Sequence, residues 1–136
     1  MNGLSNENQV IEIADRLSEI ADQAMDATLA GVKAGKLSEK QAQEAISHIQ
    51  QLSLLSSGLL TQAVKSIVDG LKISQEKLTE LIDKAKTRIA AIETAAKFID
   101  LLVDVLAFAA AAITGKPDTI VAAALEIGKD VGLEIA

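Results

Sequence analysis

Residues 75–113 read QEKLTELIDKAKTRIAAIETAAKFIDLLVDVLAFAAAAI, and this stretch decides the fold class. Its apolar residues recur at alternating steps of four and three, which places them on one face of a helix. The members of this first apolar row are Leu78, Ile82, Ala85, Ile89, Ile92, Ala96, Ile99, Val103, Leu106, Ala110 and Ile113. We therefore predict one continuous helix over residues 75–113, roughly 58 Å long at 1.5 Å per residue.

A second apolar row begins in the middle of this stretch, where the polar face disappears. Its members are Phe98, Leu102, Val105, Ala109 and Ala112, and the row is widened by Leu101, Phe108 and Ala111. No charged side chain follows Asp104 until Lys116. A helix that is apolar on all sides must be buried in protein or in lipid, so this region needs a covering surface.

The N-terminal part of the chain predicts a helix that begins after Ser5 or Asn6 and ends at Ala34. Acidic residues lie near its start and Lys33 near its end, and Gly35 follows as a left-handed cap. Its inward residues are predicted to be Val10, Ile13, Leu17, Ile20, Ala24 and Ala27.

The next helix is predicted to begin at Ser38, because Gln41 three residues later completes a capping box. We expect it to continue to Gly70 with Ala45, Ile49, Leu52, Leu60, Val64, Ile67 and Leu71 inward. Residues 56–58, Ser-Ser-Gly, predict a bend, and two separate helices are the alternative.

After residues 114–118, which contain a Gly and the single Pro, a last helix is predicted from Thr119 to Ile135. Its inward residues are Ile120, Val121, Ala124, Ile127 and Val131.

These patterns together predict an all-α fold, since no stretch shows the strict alternation of a half-buried strand. Short connections between long helices favour antiparallel neighbours. We expect a single domain over residues 1–136. Its predicted form is an elongated antiparallel bundle of three long helices and a shorter C-terminal helix, with coiled-coil-like packing.

Composition argues against several classes of function. Aromatic residues make up 1% of the chain, which disfavours modules that stack nucleic-acid bases. The net charge of -6 offers no electrostatic footprint for a phosphate backbone, so we expect no nucleic-acid partner. The N-terminus lacks the basic and apolar regions of a secretory signal, so a cytoplasmic location is the default expectation, with signal-less export left open.

Two groups of residues carry possible chemistry, and neither predicts an enzyme. An acidic row on the first helix has the spacing of a solvated face, with a cation site or a basic partner as the alternative; it comprises Glu12, Asp15, Glu19, Asp22 and Asp26. His48 is the single histidine, and alone it completes neither a catalytic triad nor a zinc site. We expect no enzymatic activity, no cofactor and no metal.

Three explanations account for what covers the second apolar row. Other helices of the chain enclose it, a second copy or a helical partner covers it, or residues 98–127 enter a membrane as an apolar hairpin. The functional prediction is a non-enzymatic interaction or assembly protein whose contact residues are Phe98, Leu101, Leu102, Val105, Phe108 and Ala109. A carrier of an apolar small molecule is less favoured, because alanine-rich packing leaves little room for a cavity.

The membrane alternative has a parallel among known proteins. A helical bundle with an apolar hairpin resembles, in architecture alone, the soluble forms of α-helical pore-forming toxins and translocators. The resemblance covers residues 98–127 and implies that this hairpin would be the inserting element.

Overall fold

The computed structural model describes residues 2–135 and contains five α-helices over that range, without a β-strand. They are α1 (Glu7–Lys33), α2 (Glu39–Thr61), α3 (Gln75–Ala90), α4 (Ala95–Thr114) and α5 (Pro117–Val131). About 75% of the chain is helical, so the predicted all-α class is confirmed.

The predicted first helix is confirmed as α1. The Asn6 side chain accepts a hydrogen bond from the backbone N–H of Gln9 at 2.9 Å and so caps its first turn. Gly35 follows its end with φ +76°, a conformation that favours glycine. All six residues predicted to face inward are buried.

The start of α2 is confirmed and its end is not. Ser38 Oγ accepts from the backbone N–H of Gln41 at 3.1 Å, and Gln41 Oε1 accepts from the backbone N–H of Ser38 at 2.9 Å. The helix continues through residues 56–58 but ends at Thr61, so the predicted extension to Gly70 is wrong.

Residues 62–74 leave the helical path, and the later part of this segment pairs with the N-terminal residues. The backbone N–H of Val68 donates to Leu4 O at 2.8 Å, and that of Gly3 donates to Ile73 O at 2.7 Å. Three residues predicted to face the core are exposed, namely Leu60, Val64 and Ile67. Leu60 is still within α2, but the buried face of that helix passes through Leu59 instead.

The predicted continuous helix over residues 75–113 is also wrong, because the chain reverses direction between α3 and α4. Thr94 Oγ1 accepts from the backbone N–H of Lys97 at 3.1 Å and starts α4 afresh. The restart changes which row faces inward. The second apolar row is buried, whereas the α4 members of the first row are exposed or only partly buried.

The last helix begins two residues earlier than predicted and ends at Val131. Pro117 occupies its first turn, where the missing N–H carries no penalty. Gly115, with φ +70°, ends α4, and Gly132, with φ +72°, ends α5.

The helices alternate in direction through the bundle. Gln75 bonds to Gln9, and Arg16 Nη1 lies 2.6 Å from Asp83 Oδ1, so α1 and α3 lie side by side in the same direction. The helices α2 and α4 run in the opposite direction to α1 and α3. The last helix, α5, packs antiparallel to α4. Five helices thus replace the predicted three long helices and one short helix, and all five contribute to one apolar core.

Candidate interaction surface

The six predicted contact residues lie in the core of the single chain. Phe98, Leu101, Leu102, Val105, Phe108 and Ala109 are each at most 4% exposed. The helix that carries them, α4, packs against α2, α3 and α5. A partner therefore reaches these side chains only if α4 or α5 first moves away from the core. Their role as contacts stays a prediction.

The acidic row of α1 is exposed along its length, and part of it serves structure. Glu12 Oε1 accepts from Gln75 Nε2 at 2.8 Å, and Glu19 lies 3.7 Å from Lys86 Nζ across the α1–α3 contact. Within residues 2–135, no group of three or more His, Cys, Asp or Glu side chains is arranged to hold a metal ion.

His48 lies partly buried on α2. Its Nδ1 is buried and has no hydrogen-bond partner within the part of the chain that the structure describes. This position identifies no nucleophile for the histidine to activate.

Several large apolar side chains remain on the surface, and half of them fall within residues 54–67. The exposed set is Leu29, Val32, Leu54, Leu60, Val64, Ile67, Val103 and Leu125. The most exposed is Leu54, at 74%. This concentration distinguishes the C-terminal half of α2 and the turn that follows it.

The C-terminal half of α2 itself carries no charge, and Glu7 and Lys65 border it at the hollow beside Leu60 and Val64. Residues 45–64 contain no Asp, Glu, Lys or Arg, although such residues make up 24% of the chain. We call its exposed positions the neutral face of α2; they are Ser47, Gln50, Gln51, Ser53, Leu54, Ser57, Leu60, Thr61 and Val64.

The spacing of apolar residues alone does not reveal this face, because its exposed positions are mostly Ser and Gln. The absence of charge over twenty consecutive residues was the signal that could have located it. One border of the face is the end of α4, since a Cβ placed on Gly58 would lie 3.8 Å from Ile113 Cδ1.

A cluster of carboxyl groups lies between α4 and α5. The carboxyl group of Asp104 is within hydrogen-bond reach of Asp130 and close to Glu126 and Asp100. Burial, followed by the hydrogen bond to Asp130 and the neighbouring negative charges, raises the pKa of Asp104 to about 7.

Comparisons of the chain with protein-family models, with curated proteins and with solved structures found no match. Across residues 2–135, none of the helices combines the length and the apolar character needed to cross a membrane.

Proposed function

We propose that this chain is a non-enzymatic helical module that self-associates through the neutral face of α2. The observation that carries the proposal is the 74% exposure of Leu54 within a helical surface free of charge. The proposal keeps the interaction role predicted from the sequence and places the contact on α2 instead of α4.

Electrostatics favour a second copy as the occupant. Each copy carries a net charge of -6, so contact between charged faces brings like charges together. The neutral face avoids this repulsion, and its Gln and Ser side chains can hydrogen-bond across a two-fold axis. A strongly basic partner would gain more from the acidic row of α1 than from an uncharged helix.

The dimensions of the neutral face determine how strongly two copies are expected to associate. A helical segment over residues 45–61 is roughly 25 Å long and about 10 Å wide. Such a strip buries a few hundred Å² on each copy, below the roughly 800 Å² per partner of a standard stable interface. We therefore expect weak and reversible association.

The experiment is sedimentation velocity of the full chain from about 10 µM to about 1 mM, a range suited to weak association. We expect the weight-average mass of the wild type to rise with concentration. Leu54→Glu should abolish the rise, because it places like charges in the centre of the contact. Its matched control is Leu29→Glu, which alters a leucine that is 55% exposed on α1.

Equal thermal unfolding of both variants would show that the fold is intact. A wild type that stays monomeric at the highest concentration would contradict self-association. If Leu29→Glu abolished association equally, added negative charge would prevent association wherever it is placed. The contact could then no longer be assigned to α2.

A further inference from the structure

A small hollow lies where three helix ends meet, namely the end of α3, the start of α4 and the end of α5. Its volume is about 320 Å³, at the lower end of the range for small-molecule sites. Buried Phe98 and Leu101 of α4 form part of its wall. The charged side chains that line it are exposed and comprise three cations and three carboxylates, namely Arg88, Lys97, Lys129, Glu93, Asp100 and Asp130.

Two of the three cations already have a carboxylate of their own. Lys97 Nζ lies 3.0 Å from Glu93 Oε1, and Lys129 Nζ lies 3.4 Å from Glu126 Oε1. The hydrogen bond from Lys97 and the charge of Lys97 lower the pKa of Glu93. These two lysines are thus compensated by neighbours on the same stretch of chain.

The third cation, Arg88, has no such partner. The chain has two arginines, and Arg16 forms an ion pair with Asp83 across the α1–α3 contact. Within the part of the chain that the structure describes, Arg88, Asp100 and Asp130 form no ion pair, although all three line the same hollow. One guanidinium group and two carboxylates therefore border a common space without direct compensation.

The helix ends place partial charges of both signs at the hollow. Helix α4 begins at Ala95, so the positive end of its dipole lies there. Helix α5 ends at Val131, one residue after Asp130, and contributes the negative end of its dipole. A ligand with one negative and one positive group complements both, whereas a simple anion or a simple cation complements only one.

We propose that this hollow binds a free amino acid with an apolar side chain. Its carboxylate pairs with Arg88, since guanidinium groups bind carboxylates through paired hydrogen bonds. Its ammonium group is bound by Asp100 and Asp130, and its side chain lies over the edges of Phe98 and Leu101 that line the hollow. Because the charged groups are exposed, we expect weak binding, with a Kd of about 1 mM. The site is independent of the neutral face, which lies on α2.

The experiment is a titration of the ¹⁵N-labelled full chain with L-leucine, followed by two-dimensional NMR at constant protein concentration. We expect amide shifts within residues 88–101 and 129–132 that saturate with a Kd of about 1 mM. Two matched ligands carry one charge each, since 4-methylpentanoate lacks the amino group of leucine and 3-methylbutylamine lacks its carboxylate. Both should bind at least about fivefold more weakly, because each leaves one charge of the hollow unpaired.

The decisive variant is Arg88→Gln, which removes the unpaired cation and should weaken leucine binding about fivefold. Asp130→Asn should weaken it by a similar factor, because it removes one partner of the ammonium group. The matched control is Arg16→Gln, which alters the other arginine, outside the hollow, and should leave the Kd unchanged. Equal thermal unfolding of wild type and variants would show that the fold is intact.

Three results would overturn the proposal. One is the absence of shifts within residues 88–101 and 129–132 at about 20 mM leucine, well above the expected Kd. Another is equal binding of 4-methylpentanoate or 3-methylbutylamine, which would make the hollow a simple anion or cation site. The third is an unchanged Kd in the Arg88→Gln variant. None of these results bears on self-association through α2, because the protein concentration is constant throughout.

Discussion

Replacing Phe108 by alanine tests whether the apolar residues of α4 form the core of one chain or a contact between chains. Phe108 is 0% exposed and is among the largest fully buried side chains of the protein. Truncation removes the whole ring from a site enclosed by packed helices. Such substitutions destabilise by about 3 to 5 kcal/mol, from lost burial and from the cavity left behind.

The variant should still fold. A domain of this length has a free energy of unfolding of roughly 7 to 20 kcal/mol, at 0.05 to 0.15 kcal/mol per residue. With a denaturant dependence of about 2 kcal/mol per molar urea, the expected loss lowers the urea midpoint by about 2 M. A change of this size is well above the error of the measurement.

The assay is urea unfolding monitored by circular dichroism at a low and a high protein concentration. Val103→Ala is the matched control, because Val103 lies on the same helix and is 42% exposed. It should change the free energy of unfolding by no more than about 0.5 kcal/mol. If Phe108 is core, its destabilisation should be the same at both protein concentrations.

A loss below about 1 kcal/mol for Phe108→Ala, within the range of surface substitutions, would refute the core assignment. A destabilisation that appears only at high protein concentration would do the same and would restore the sequence-based interpretation of Phe108 as an interface residue. The Phe108→Asp variant separates these cases again. It should unfold a core but leave a folded, dissociated monomer if the residue is a contact.

Three further outcomes are expected. Ser38→Ala should lower the free energy of unfolding by about 1 kcal/mol, because it removes one half of the capping box, and thermal melts measure this directly. Gln75→Ala should cost about 1 to 3 kcal/mol, since this side chain bonds to Leu4, Gln9 and Glu12; a smaller loss in urea unfolding would mean that water replaces these bonds. Submicromolar wild type should release no dye from liposomes, because the apolar side chains of residues 98–127 lie largely in the core, and release would favour the membrane alternative.

The parts of the fold that the sequence predicted correctly depend on local chemistry. Asn6 and Ser38 cap helices through bonds to residues three positions away, and Gly35 adopts a backbone conformation that few other residues tolerate. The apolar spacing of α1 likewise identifies its buried face without knowledge of any neighbour. Such features are decided within one or two helical turns.

The reversal between α3 and α4 depended on tertiary packing. The first apolar row continues in step through residues 89–96, and this stretch contains neither Gly nor Pro. Thr94 was the one local sign of a new helix start, and a single threonine within a helical pattern is weak evidence. The break lets the row with Phe98 and Phe108 face the core, which buries the larger side chains.

The same packing explains why the proposed contact surface lies on α2 and not on α4. The second apolar row needs a cover, as its sequence indicates, and α2, α3 and α5 of the same chain provide that cover. Beyond Thr61 the chain leaves the helix, and residues 68–73 pair with the N-terminal segment before α3 begins. Leu60 is exposed within α2 because the buried face of this helix runs through Leu52 and Leu59, and apolar spacing alone does not distinguish Leu59 from Leu60. The largest group of exposed apolar side chains therefore lies at the end of α2, within residues 45–64 that contain no Asp, Glu, Lys or Arg, and the proposed self-association depends on this combination.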